Sequence, residues 1–169
     1  HIIPDYVGLL DTGFLPLIDK AKRQMDLLAE DDPEYFDKKE FLESVIISLE
    51  GSIAYANRLA ELAEEKQREA GVTEERKAEL AALRKVPAQA PDNFFEALQM
   101  VLLIHLLIQI ESNGHSISMG RMDSYLRPFY EKDKEEGLID DDQVRQLMEC
   151  FLLKCFEANK LRDWGTTEV

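Results

Sequence analysis

Histidine, cysteine and basic side chains are all scarce in this chain. Three histidines are spread too widely among 169 residues to give a metal-ligand spacing, and the two cysteines form no Cys-x-x-Cys or Cys-His motif. No metal site is expected. Cys150 and Cys155, five apart on a predicted helix, project about 140° from one another, which argues against a disulfide between them. They are expected to be buried, unreactive thiols in a reducing, cytoplasmic setting. Lysine and arginine number 20 against 34 acidic residues, a net charge of -14. With no dense basic cluster to offset it, that balance excludes nucleic acid as a partner. The longest apolar run carries Gln99, His105 and Gln109 and falls short of the roughly 18 to 20 residues that span a bilayer, so no membrane segment is expected. A basic start, an apolar core and a small-residue cleavage site are also lacking, so no signal peptide is expected. The opening His1-Ile2-Ile3-Pro4 reads as a cut or processed start. There is no internal repeat, low-complexity tract or long linker.

What the chain does have is helix pattern. At 45% hydrophobic residues it can bury a core of single-domain size. Asp11 or Thr12 is placed to cap a helix running to about Glu30, with Leu15, Ile18, Met25 and Leu28 inward. Pro33 opens a longer helix, Glu34 to about Ala70, on which Phe41, Val45, Leu49, Ala56, Leu59 and Ala63 recur at helical spacing. The acidic cluster at its far end, Glu61, Glu64 and Glu65 among Lys66 and Arg68, reads as a solvated face. Gly71 ends it, and Thr73 is placed to cap the next helix, which stops at Val86-Pro87. Asp92 is placed to cap the apolar helix that reaches Glu111. A further helix, Ser124 to about Glu136, is interrupted by Pro128 and closed by Gly137. Asp140 or Asp141 caps a last one reaching Lys160, followed by an irregular tail.

Between these helices lies the segment richest in chemistry. Asn113-Gly-His-Ser-Ile-Ser-Met-Gly-Arg-Met-Asp123 delivers an imidazole, a guanidinium and a carboxylate directly after the most apolar helix. Buried polar groups need partners, so a partner or ligand is expected here. Asn113-Gly114 is a turn signal, and the alternation of Ser116 and Ser118 with Ile117 and Met119 predicts a strand of about five residues. One strand makes no sheet. Ser116 to Gly120 is therefore expected either to pair with strands encoded beyond Val169 or to stay extended and unpaired. On a regular strand, His115 and Asp123 would be about 26 Å apart at roughly 3.3 Å per residue. For both to reach one small molecule the chain must turn near Gly120, and glycine permits that turn.

These residues resemble a known family. Val86-Pro87-Ala88 with Phe95-Glu96-Ala97-Leu98-Gln99, then Glu111 to Arg121, then Asp123-Ser124-Tyr125-Leu126 and Pro128-Phe129-Tyr130, resemble the N-terminal part of the glycyl radical enzymes. Those are the pyruvate formate-lyase-like enzymes, including B12-independent glycerol and propanediol dehydratases and choline trimethylamine-lyase. The resemblance implies that residues 1–169 are a partial N-terminal region of a pyruvate formate-lyase-like domain. Its fold class is then mainly α, the helical part plus one strand of a ten-stranded α/β barrel.

The same resemblance implies a radical lyase of the dehydratase type several times longer than this chain. Its catalytic cysteine loop and terminal radical-glycine loop are not in this sequence, and neither Cys150 nor Cys155 lies in such a loop. No catalytic residue is assigned, and the chain alone is expected to be inactive. What it retains is a substrate-binding wall. His115 matches the histidine that binds a substrate hydroxyl in dehydratase-type members, and Asp123 matches a carboxylate near the substrate. Arg121 matches an arginine that binds carboxylate in pyruvate-cleaving members, and a structural ion pair accounts for it equally well. His115 with Asp123 points to glycerol or a 1,2-diol. The alternatives are a choline-lyase-like or pyruvate formate-lyase-like enzyme, or a non-catalytic helical binding module. No cofactor is expected in this chain, the radical being carried by a glycine of the full-length parent. The implied partners are a small-molecule substrate, a radical S-adenosylmethionine activating enzyme and a second copy of the parent in a homodimer. His105 is expected to make a structural hydrogen bond, and Tyr125 and Trp164 to pack. The unpartnered strand and apolar helix predict self-association of the chain alone.

Overall fold

A computed structural model describes residues 2–71, 73–112 and 117–158. Among them are eight helices: α1 (Tyr6–Thr12), α2 (Leu15–Asp26), α3 (Tyr35–Ala70), α4 (Glu74–Lys85), α5 (Phe94–Ser112), α6 (Met122–Tyr125), α7 (Arg127–Glu135) and α8 (Asp141–Glu157). The fold is mainly α, as the pattern predicts. His115 and the tail from Asn159, including Trp164, lie outside the described residues.

The core forms around α5. Ala97, Met100, Val101 and Leu103 are completely shielded from solvent, and the helix packs against α1, α4, α7 and α8. Each large side chain buried in this way contributes about 1.5–3 kcal/mol of transfer free energy. A second, smaller cluster joins Ile18 and Ala21 of α2 to Ile46 of α3. The stretch Phe94–Glu111 is long and apolar enough, by length and composition, to cross a membrane. This window is longer than the apolar run judged from the sequence. Helices on several sides cover its middle, so its apolar character serves the core of the fold.

Several boundaries follow local chemistry. Gly71 and Gly137 end α3 and the α7 turn with φ of 86° and 70°. Asp140 caps α8 in a reciprocal box, accepting from the Gln143 amide at 2.8 Å while the Gln143 side chain accepts from the Asp140 amide at 2.9 Å. Other boundaries differ from the sequence pattern. The first helical stretch is broken in two, and Asp5 caps α1 by accepting from the Gly8 amide at 3.1 Å, so Asp11 and Thr12 are not caps. At α5 the cap is Asn93, whose Oδ1 accepts from the Glu96 amide at 2.8 Å. Asp92 instead pairs with Lys85 at 2.6 Å, because the Lys85 ammonium sits between it and Glu96 and draws the carboxylate away from the helix end. Cys150 is exposed and Cys155 half-buried, both free thiols, so the expected burial fails for Cys150.

The break at Gly13 has a tertiary cause. Its φ is 73°, and the amides of Phe14 and Leu15 donate to the carbonyls of Pro87 and Ala88 at 2.9 and 3.0 Å. The α1–α2 corner is thereby laid directly on the connector between α4 and α5.

The predicted strand is reduced to one parallel bridge between Ile117 and Ile2, with the Ser118 amide donating to the Ile2 carbonyl at 3.0 Å. Its partner lies at the opposite end of the chain from the one expected. The alternation holds over the described part: Ile117 and Met119 are half-buried, Ser118 and Gly120 exposed.

Candidate functional site

The site is built on residues 117–125. After the bridge, the Gly120 amide donates to Ser118 Oγ at 3.2 Å, and Gly120 itself adopts φ of 63°. This left-handed residue redirects the chain, and α6 starts at Met122. A straight strand from His115 to Asp123 is thus ruled out, and the turn needed near Gly120 is present. Whether His115 converges with Asp123 lies outside the described residues.

Tyr125 fastens the turn. Its hydroxyl donates to the Met119 carbonyl at 2.8 Å, and its ring stacks on Tyr6 with centroids 5.2 Å apart. Burial pushes the Tyr6 phenol up to about 12 and raises Tyr125 as well, so both stay protonated across ordinary pH. Sequence reasoning assigned Tyr125 to packing and passed over Tyr6. The hydrogen bond to Met119 has no signature at the spacing of these residues, since it exists only after Gly120 has reversed the chain.

Arg121 and Asp123 come together as a two-point pair. Nε donates to Oδ1 at 2.8 Å and Nη2 to Oδ2 at 2.6 Å. Both side chains are exposed, Arg121 at 80% and Asp123 at 57%. The guanidinium hydrogen bond holds the Asp123 carboxyl down to about 2, and the same contact raises Arg121. An acceptor with one oxygen on each arm of the fork keeps a lone pair on each oxygen for a ligand hydroxyl. Because the folded value is depressed, the interaction is intact above the ordinary carboxylate range near about 4 and is lost as pH falls toward about 2. Replacing Arg121 by glutamine is expected to move the Asp123 titration, followed by carboxyl carbon NMR, back toward the ordinary value. An unchanged midpoint would show that the pair does not govern this carboxylate.

Other buried polar groups lie away from this turn. The Asp133 carboxylate on α7 accepts from the Phe94 amide at 2.7 Å and so ties α7 to the start of α5. His105 contacts Gln109 through Nε2 at 3.2 Å, which is the structural hydrogen bond expected, and burial lowers its basicity. No group of three or more His, Cys, Asp or Glu among the described residues is placed to hold a metal ion.

The model of the pyruvate formate lyase-like family matches residues 1–169. The chain belongs to that family. Among its relatives, the (2S)-3-sulfopropanediol dehydratase of Klebsiella oxytoca is 38% identical over 100% of this chain and 21% of its own length. The glycerol-bound B12-independent glycerol dehydratase of Clostridium butyricum superposes with a TM-score of 0.87 at 40% identity, over 99% of this chain and 21% of that one. A structure from Roseburia inulinivorans, described by 1,2-propanediol dehydration, gives 0.85 at 36% identity, over 96% and 20%. This pyruvate formate lyase-like chain therefore spans about a fifth of the relatives it matches.

Proposed function

We propose that residues 1–169 are the N-terminal region of a glycyl radical dehydratase or lyase and form one wall of its pocket for a small hydroxylated substrate, of the glycerol or 1,2-diol type. The observation that carries this reading is the exposed Arg121–Asp123 pair beyond the Gly120 turn, within a chain that superposes along nearly its whole length on a glycerol-bound dehydratase.

In this reading His115 donates to or accepts from a substrate hydroxyl, since an imidazole can play either role. Asp123 accepts from a second hydroxyl, and Arg121 holds Asp123 ionised and oriented. Dehydration of a diol removes hydrogen from one carbon and expels hydroxide from its neighbour, so fixed donors and acceptors at both oxygens orient the reacting bonds. The radical and its thiol relay belong to the rest of the enzyme, together with the activating enzyme that installs the radical and the second copy of a homodimer. This region alone is then inactive.

The test is turnover by the anaerobically activated full-length enzyme with glycerol, propane-1,2-diol, choline and pyruvate. Activity on a diol, with a loss of about 10²–10⁴ in kcat for His115→Ala, is the expected result. Activity on pyruvate alone would overturn the roles of His115 and Asp123.

A further inference from the structure

We propose that the cavity between α6, α7, α8 and the start of α5 binds a free α-amino acid with an apolar or aromatic side chain. It is an open cleft of about 390 Å³, within the usual range of about 300–1,000 Å³ for small-molecule sites. Its floor is apolar, formed by Phe94, Leu126, Val144 and Met148. One wall is Tyr130, set edge-on to Phe94 with centroids 6.4 Å apart, an arrangement that accepts a further ring.

The charges around this floor sort into two kinds. Asp123 is engaged by Arg121, and Asp141 accepts from Lys134 at 2.6 Å and from the Tyr130 hydroxyl at 2.7 Å. Two lining charges, Arg127 and Glu131, make no ion pair with any described residue; Arg127 only acts at a distance on Asp123. They stand four residues apart on α7, one above the other, with Cβ atoms about 5–6 Å apart. A lone cation beside an apolar floor would suit a fatty or aromatic acid, and a lone anion an amine. The two together suit a zwitterion. A guanidinium fork matches a carboxylate, Glu131 matches the ammonium on the same carbon, and the side chain is left to lie on the floor.

The cavity shares Asp123 with the reading above, but the two charges assigned to the zwitterion, Arg127 and Glu131, lie outside the Arg121–Asp123 pair, so their variants test this proposal separately. The experiment is calorimetric or saturation-transfer NMR titration of the full-length enzyme with L-phenylalanine, 2-phenylethylamine and 3-phenylpropionate. L-Phenylalanine is expected to bind about five- to tenfold more tightly than either analogue, each of which lacks one charge. Arg127→Gln is expected to weaken L-phenylalanine and 3-phenylpropionate while sparing 2-phenylethylamine, and Glu131→Gln to do the reverse. Equal binding of all three ligands, no binding of L-phenylalanine, or loss of the crossed pattern in folded variants would overturn the proposal. The ligand series on the unchanged protein decides it even if a variant fails to fold.

Discussion

Gly13→Ala is expected to destabilise the chain by about 2–5 kcal/mol, from about 1–2 kcal/mol for a side chain in the left-handed region and about 1–3 for overpacking. The second part depends on what the new methyl group meets. A Cβ at Gly13 would lie 2.6 Å from the Gln89 carbonyl carbon and 2.8 Å from both the Ala88 oxygen and the Ala90 nitrogen. All three are backbone atoms, and they belong to the connector that receives the Phe14 and Leu15 amides. The corner must therefore lift, which lengthens both hydrogen bonds. Gly71 and Gly137 are the controls: they share a positive φ, but nothing lies within 4 Å of a Cβ at either. Alanine there is expected to cost only the backbone share, about 1–2 kcal/mol. Urea midpoints of the three variants check this, and equal shifts would show that the contact with residues 88–90 carries no energy.

Leu103→Ala is expected to cost about 2–5 kcal/mol, the usual range for truncating a large aliphatic side chain in a core. Leu103 has no solvent exposure and sits within the main cluster on α5, so the void has little freedom to collapse. Leu152 on α8 is 62% exposed. Its replacement by alanine is expected to change stability by less than about 0.5 kcal/mol. Thermal unfolding of the two variants measures the difference. A Leu103→Ala melting point close to that of the unchanged chain would mean that α5 is not the centre of the core.

The elements that sequence pattern located are those whose causes are local. The long α3 ends where a glycine allows a positive φ, and α8 begins where an aspartate and a glutamine three residues apart satisfy one another. The mainly α fold class and the turn at Gly120 were legible for the same reason. The elements it misplaced are decided by distant partners. Nothing near Gly13 announces a break, because the break is made by carbonyls more than seventy residues away. Asp92 and Asn93 are both good caps, and the choice between them is made by Lys85, which claims the former. Of the candidate site, an ion pair for Arg121 was legible as a structural alternative, but its partner was not, since Asp123 was read as a carboxylate beside the substrate. The supporting Tyr125 bond and the Tyr6 stack were not, since both require the chain to have already folded back.

The bridge between Ile2 and Ile117 has a consequence for the order of assembly. The two residues of the bridge lie more than a hundred positions apart, so closing it incurs the entropy of a very long loop, while helix pairs such as α2–α3 and α3–α4 join neighbours in the chain. The arm that carries Arg121 and Asp123 is therefore among the last parts to settle. On a ribosome, the first residues must wait for most of the helices to emerge before they meet their match, and any extension fused ahead of Ile2 bears directly on how that arm comes to rest.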